Sequence, residues 1–324
     1  MHASPLVFLL VLVGVGTLLC AVAIAVMAWS LMHPPRMTDG KAAWVLRRLS
    51  PADVGLPFEE MTFEVHDEHG KSLKLAAWWI PNPAAGGRCA VLIHGYADAK
   101  VGAIAWAPVW HSLGFNLLVP DLRAHGESDG SVCTAGFFER HDLVQIIHDL
   151  RTSRPHSARE VVLFGVSMGA ALAAAVASTE TGITAVVMES PYADFRKAAM
   201  AHMDHLGLPG RALQRPAINL AQWLTRADYD AVSPVRLIPT ITCPLMLIES
   251  GNDPFLSTEA RAELKRAIVS RPKTFGPAEI WAVPDVEHSM ALSANPQIYR
   301  EQLGSFLIRA AVSAEMPEMP VDGV

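Results

Sequence analysis

Residues 162–174 read VLFGVSMGAALAA. An apolar run breaks at Gly165-Val166-Ser167-Met168-Gly169 and resumes in small residues. If a strand ends there and a helix begins, the serine sits at the apex of a sharp turn, in strained backbone, with its hydroxyl presented outward. The competing reading is a plain tight turn. With ordinary glycine and serine usage, a G-x-S-x-G match arises by chance in about one chain in ten of this length. Context therefore decides. Val161–Phe164 reads as a buried strand and SMGAALAAAVAS (167–178) as a helix. Gly165 and Gly169 leave room for that strand and helix to approach each other. The helix amino terminus then points at Ser167, where its dipole favours developing negative charge.

Outward from this turn, short apolar runs alternate with helical stretches. CAVLI (89–93), FNLLV (115–119), AVVM (185–188), LMLI (245–248) and IWAV (280–283) are continuous apolar segments of strand length. Such runs suit strands buried on both faces. Helical patterns fall between them at about 102–113, 137–152, 168–179, 257–268 and 296–312. This alternation predicts a mostly parallel sheet of about eight strands with helices on both faces. MTFEVH (61–66) and KLAAWWI (74–80) flank a turn at Glu68-His69-Gly70 and add an antiparallel hairpin at one edge. The interval 189–244 is too long for a simple crossover. Its short helical patterns, broken by Pro209-Gly210 and Pro216, read as a cap inserted over the carboxyl ends of the strands.

Residues 5–32 carry no charge and are long enough to span a bilayer with some tilt. They are a visible source of the excess in a hydrophobic content of 51% and a positive mean hydropathy. A cleaved signal peptide is the alternative, but no Lys or Arg precedes the run and it is long for a signal core. Arg36, Lys41, Arg47 and Arg48 follow it. That asymmetry places the following domain on the cytoplasmic side. The net charge of −6 gives no reason to expect a nucleic-acid partner. No C-x-x-C occurs among the cysteines, so neither a zinc ribbon nor a redox motif is indicated.

Four stretches in this order resemble the α/β-hydrolase superfamily: His94-Gly95-Tyr96 after CAVLI, Asp121–Ser128 (DLRAHGES) after FNLLV, the Ser167 turn, and an acid then a histidine downstream. The similarity covers about residues 60 to 312. IHGYADAK and PDLRAHGESDG resemble bacterial membrane-anchored hydrolases related to the serine aminopeptidase and monoglyceride-lipase group. The implied organisation is a transmembrane anchor (1–33), a juxtamembrane segment (34–60), an α/β-hydrolase domain (61–313) with its cap at about 195–240, and a disordered tail (314–324).

The resemblance implies Ser167 as nucleophile, His288 in VPDVEHSM as base, and backbone N–H groups of Tyr96 and Met168 as the oxyanion hole. Asp253 in LIESGNDPF matches the family's acid position, and Asp194 in SPYADF occupies the alternative one. Two departures stand out. Asp285 replaces the usual glycine three residues before the histidine, and Glu249-Ser250 replaces the more usual His-Gly. His94, His125, Asp121 and Arg123 read as loop supports. His202 and His205 share a helix face, but a third metal ligand is missing nearby in sequence.

The expected activity is serine-dependent hydrolysis of a carboxylic ester through an acyl-enzyme, with no metal or cofactor. The expected partners are a small acyl substrate and the lipid bilayer. A peptidase or acyltransferase would use the same triad. A peptidase would need a carboxylate for the substrate amine, with Asp204, Asp228 and Asp230 available in the cap. A non-catalytic membrane-anchored binding protein is the reading of another class.

Overall fold

The structure is a computed structural model that describes residues 4–208 and 210–310; the tail expected at 314–324 lies outside them. Its centre is one eight-stranded sheet. β1 (Glu59–His66) and β2 (Ser72–Ile80) form the expected hairpin, with Gly70 at φ 76° in the turn. β3 (Arg88–Ile93), β4 (Asn116–Pro120), β5 (Glu160–Val166), β6 (Ile183–Glu189), β7 (Leu245–Ser250) and β8 (Ala278–Val283) follow. The order across the sheet is β1-β2-β4-β3-β5-β6-β7-β8, antiparallel at β1/β2 and β2/β4 and parallel elsewhere.

Helices cover both faces because the central strands are apolar on both sides; every residue of β3, β4 and β7 is buried. α5 (Glu139–Ser153), α6 (Met168–Ala177) and α10 (Thr258–Val269) contribute to the core on one face. α3 (Lys100–Ala103), α4 (Ala107–Ser112), α11 (Ala291–Ala294) and α12 (Pro296–Arg309) contribute on the other, with Ala42 of the short α2 (Asp39–Val45). Between β6 and β7 stands the cap: α7 (Phe195–His205), α8 (Arg211–Thr225) and α9 (Pro234–Leu237). Pro216 does not break this region, as the sequence reading expected. It lies inside α8, where it offers no N–H to the Ala212 carbonyl four residues back, and the helix continues through it with Ala217, Ile218 and Ala221 buried.

α1 (Pro5–Met32) begins at the Ser4 N-cap and ends at His33. Residues 4–22 are all exposed, whereas Met27, Ala28, Leu31 and Met32 are buried in one apolar cluster with Ala199 and Met203 of α7 and Ala217, Ile218 and Ala221 of α8. The way α1 ends explains its docking. A helix carbonyl bonds the N–H four residues on, but Pro34 and Pro35 have none. The carbonyls of Ser30 and Leu31 instead face the Tyr96 hydroxyl, at 2.7 and 3.2 Å. The Met32 carbonyl accepts the Cys133 N–H at 2.8 Å. Four residues past the helix, the Arg36 guanidinium donates to the carbonyls of Gly126 (2.8 Å), Ser128 (2.7 Å) and Gly130 (2.6 Å).

Two glycines set the spacing at the middle of the sheet. A Cβ on Gly165 would overlap the Gly169 carbonyl, and one on Gly169 would overlap the Ile93 carbonyl and lie 2.5 Å from that of His94. These are backbone neighbours that cannot rotate away. Gly169→Ala is therefore expected to cost about 1–3 kcal/mol by overpacking, measured by chemical denaturation of the purified protein. Gly40→Ala, in α2 with open space around it, is expected to be neutral or slightly stabilising.

Candidate active site

Ser167 stands between the end of β5 and the start of α6 with φ 56° and ψ −117°. A non-glycine residue there is strained, and the surroundings must hold it. The Ser167 N–H donates to the Glu189 carbonyl at 2.9 Å, tying the turn to the end of β6. Gly95 lies directly beside it: a Cβ at that position would be 3.4 Å from Ser167 Cβ and 3.9 Å from its Oγ. The loop carrying Tyr96 thus passes the serine on one side, and Met168 opens α6 on the other. The Met168 amide is one of the helix N–H groups that lack an intrahelical acceptor.

His288 follows β8 on a loop, with its Nδ1 2.6 Å from Asp253 Oδ2. A carboxylate at that distance fixes the tautomer: Nδ1 carries the proton and donates it. Nε2 is then the acceptor nitrogen, on a side chain that lines the same cavity as Ser167. Phe255 packs edge-on to the imidazole, ring centres 5.0 Å apart. Of the two carboxylates considered from sequence, the structure brings Asp253 to the histidine. Asp194 is the N-cap of α7, accepting the Lys197 N–H at 3.1 Å.

Asp285 is exposed and has φ 55°, the left-handed conformation that glycine adopts most easily. Its carboxylate does not enter the cavity wall. Glu249 points at α10, 3.0 Å from Arg261 and 3.4 Å from Lys265. Ser250 has a positional part that the sequence did not reveal. Its Oγ is 2.9 Å from Ser190 Oγ, and Ser190 Oγ accepts the Ser289 N–H at 3.0 Å. The histidine loop is thereby pinned to the ends of β6 and β7.

The supporting loop residues act as expected. His94 is buried, with Nε2 accepting the Leu122 N–H at 3.0 Å and Nδ1 donating to the Gly95 carbonyl at 2.8 Å. Burial keeps it neutral, its pKa pushed down to about 3. Asp121 takes the Lys100 N–H (2.6 Å), the Glu127 N–H (2.9 Å) and the Lys100 ammonium (2.9 Å). Arg123 grips Asp142 with two bonds, 2.6 and 2.7 Å. His125 bonds the Arg123 carbonyl through Nδ1 at 2.8 Å. His202 and His205 frame Phe255 at 5.7 and 5.5 Å between ring centres.

The cavity encloses about 200 Å³, below the usual range of about 300–1,000 Å³ for drug-sized ligands. Ser167, His288, Tyr96 and Met168 line it, together with the apolar side chains of Phe195, Ala199, Phe255 and Leu31. Its acidic wall residue is Asp253, already bonded to His288. The cap carboxylates are engaged elsewhere: Asp204 with Gln214 at 2.7 Å, Asp228 capping the turn at 229–232, and Asp230 with Arg196 and Arg236 at 3.6 and 3.7 Å.

Sequence reading missed Glu189. It is fully buried at the end of β6, and its Oε2 accepts from Trp106 Nε1 (2.8 Å) and the Tyr299 hydroxyl (2.7 Å). Burial raises its pKa to about 7; the bonds from Tyr299 and Trp106 oppose the rise without cancelling it. A single carboxylate in an otherwise apolar strand, AVVME, was the available signal.

Comparison with known proteins finds the same fold. The model of the alpha/beta hydrolase fold matches residues 91–292. An uncharacterised protein of Bacillus subtilis, YqkD, is 28% identical over 270 residues, covering 79% of this chain and 82% of its own. An uncharacterised membrane protein of Saccharomyces cerevisiae, YNL320W, is 27% identical over 149 residues, 46% of this chain and 50% of its own. Among solved structures, the Pyrococcus furiosus esterase Pf2001 superposes with a TM-score of 0.66 at 25% identity, over 85% of this chain and 98% of the esterase.

The Glu189 environment predicts a pH dependence. In the unfolded chain the carboxyl ionises near its ordinary 4.5, whereas in the folded protein it holds its proton to about 7. Between those values the unfolded state gives up a proton that the native state keeps, so this group lowers stability as pH rises. Glu189→Gln keeps an oxygen for Trp106 and Tyr299 and has no proton to lose. Denaturation at pH 5 and pH 8 should show the variant gaining stability relative to wild type at the higher pH.

Proposed function

The chain belongs to the alpha/beta hydrolase family, and we propose that it is a membrane-anchored serine hydrolase cleaving carboxylic esters through Ser167, His288 and Asp253. The observation that carries this reading is the bond between His288 Nδ1 and Asp253, on a histidine that shares its cavity with a strained, outward-facing Ser167. Ser167 Oγ attacks the ester carbonyl as His288 Nε2 takes the hydroxyl proton. Asp253 holds the imidazole and stabilises the imidazolium. The carbonyl oxygen becomes an oxyanion that accepts from the Tyr96 and Met168 amides at the positive end of α6. One such donor is worth about 3–4 kcal/mol of barrier. His288 returns the proton to the leaving alcohol, which departs and leaves an acyl-enzyme. Water, deprotonated by the same nitrogen, then releases the acid and restores Ser167.

An ester fits the cavity better than a peptide does. Its wall is largely apolar, it is small, and of the cap carboxylates that would hold an amine, Asp204 and Asp230 are paired with other side chains and Asp228 caps a turn. Short and medium acyl groups match its volume. The esterase Pf2001 gives a precedent on the same fold.

The exposed part of α1 supports the membrane assignment. Its eighteen exposed helical residues, Pro5–Val22, rise about 27 Å at about 1.5 Å each. That is close to the roughly 30 Å of a hydrocarbon core. The basic residues after it favour a cytoplasmic domain. Protease treatment of intact spheroplasts should leave the domain after residue 60 undigested; digestion without lysis would place the domain outside.

Ser167→Ala should abolish hydrolysis of butyryl and hexanoyl esters and labelling by a fluorophosphonate probe, with the fold intact. Activity above about a thousandth of wild type would sink the nucleophile assignment. Asp253→Asn should lose at least about a hundredfold in kcat/KM, and Asp194→Asn little. The reverse ordering in the purified enzyme would move the acid role to Asp194.

A further inference from the structure

We propose that the end of the anchor helix is a working part of the catalytic pocket, with Leu31 as the residue that limits the length of the acyl group accepted. The inference rests on the ester-hydrolase reading above and adds to it a specificity residue outside the α/β domain.

Three independent contacts fix the last turn of α1 at the site. Leu31 is 9% exposed and forms part of the cavity wall with Phe195 and Ala199 of the cap. The Tyr96 hydroxyl lies against the Ser30 and Leu31 carbonyls, and the Tyr96 amide is one of the two proposed oxyanion donors. The Met32 carbonyl holds the Cys133 amide, and Cys133 Sγ lies 3.8 Å from Met168 Sδ, beside the second donor. Pro34 and Pro35 make this docking specific. They leave helix carbonyls that only an outside donor can bond, and the catalytic loops supply the donors. An anchor that merely tethered an enzyme would have no need of any of these contacts.

The consequence is chemical. An acyl chain bound at Ser167 meets the Leu31 side chain in a cavity of about 200 Å³. Adding or removing side-chain volume there changes the space for the substrate by a few methylenes. Pocket discrimination of one methylene is worth about tenfold or more in kcat/KM.

The test uses the full chain in detergent micelles or nanodiscs, with p-nitrophenyl acetate, butyrate, hexanoate and octanoate. Leu31→Ala should raise the octanoate-to-acetate ratio of kcat/KM by about tenfold, and Leu31→Trp should lower it by a similar factor. Leu12→Ala, on the exposed stretch of α1, should leave the ratio as in wild type. Should Leu31→Trp fail to fold, Leu31→Ala and Leu31→Val still give a graded series. The proposal is overturned if active Leu31 variants keep the wild-type ratio, or if Leu12→Ala shifts it as much as Leu31→Ala does. Failure of the underlying reading looks different: the wild-type protein would then not be labelled at Ser167 by a fluorophosphonate, whatever the anchor does.

Discussion

The close approach of α6 to the ends of β3 and β5 is the constraint on which the rest of the site depends. Gly169 lets the first turn of α6 rest on the Ile93 and His94 carbonyls, and Gly165 lets β5 turn beneath it. Any side chain at either place would push the helix outward. With the helix in contact, Ser167 is driven into a left-handed conformation and its amide is taken by the Glu189 carbonyl. The strain is sustained because neighbours on three strands leave no relaxed alternative. The helix amino terminus is thereby aimed at the place where a hydrolase of this family would develop negative charge.

Around that contact, polar groups are arranged to hold loops rather than to face solvent. Asp121 gathers two backbone amides and an ammonium, His94 bridges two backbone segments, and Arg36 collects three carbonyls from the loop at 126–130. The histidine loop is held by small hydroxyls, Ser190 and Ser250. Beneath it lies Glu189, a buried acid whose partners are neutral donors. Burial without a cation is what leaves it protonated up to about neutral pH.

Helix α1 is joined to this arrangement by the same chemistry. A helix that ends in two prolines exposes carbonyls, and exposed carbonyls seek donors. Tyr96 and Cys133 provide them from loops beside Ser167. The apolar cluster of Met27, Ala28, Leu31 and Met32 with α7 and α8 makes the union continuous with the cap. Helix α1, cap and cavity wall therefore meet along one surface.

The sequence by itself determined the fold, the serine turn and the apolar helix, because each is written in local chemistry. Continuous apolar runs can only be buried strands or helices, glycines flank a serine where backbones must touch, and twenty-eight uncharged residues form one long apolar helix. Pro216 misled because the residues that follow it, Ala217, Ile218 and Ala221, are buried against α1 and α7, and that tertiary packing holds the helix through the proline. Only the tertiary structure pairs His288 with Asp253 and puts Asp194 at a helix cap, since both follow strand ends with similar local sequence. The bond from His288 spans 35 positions, and the contact from Tyr96 to Ser30 spans 66. Nothing along the chain marks such pairs. They exist because a parallel sheet delivers all its carboxyl-end loops to one edge, and the hydrogen-bonding needs of a helix end draw α1 to that same edge.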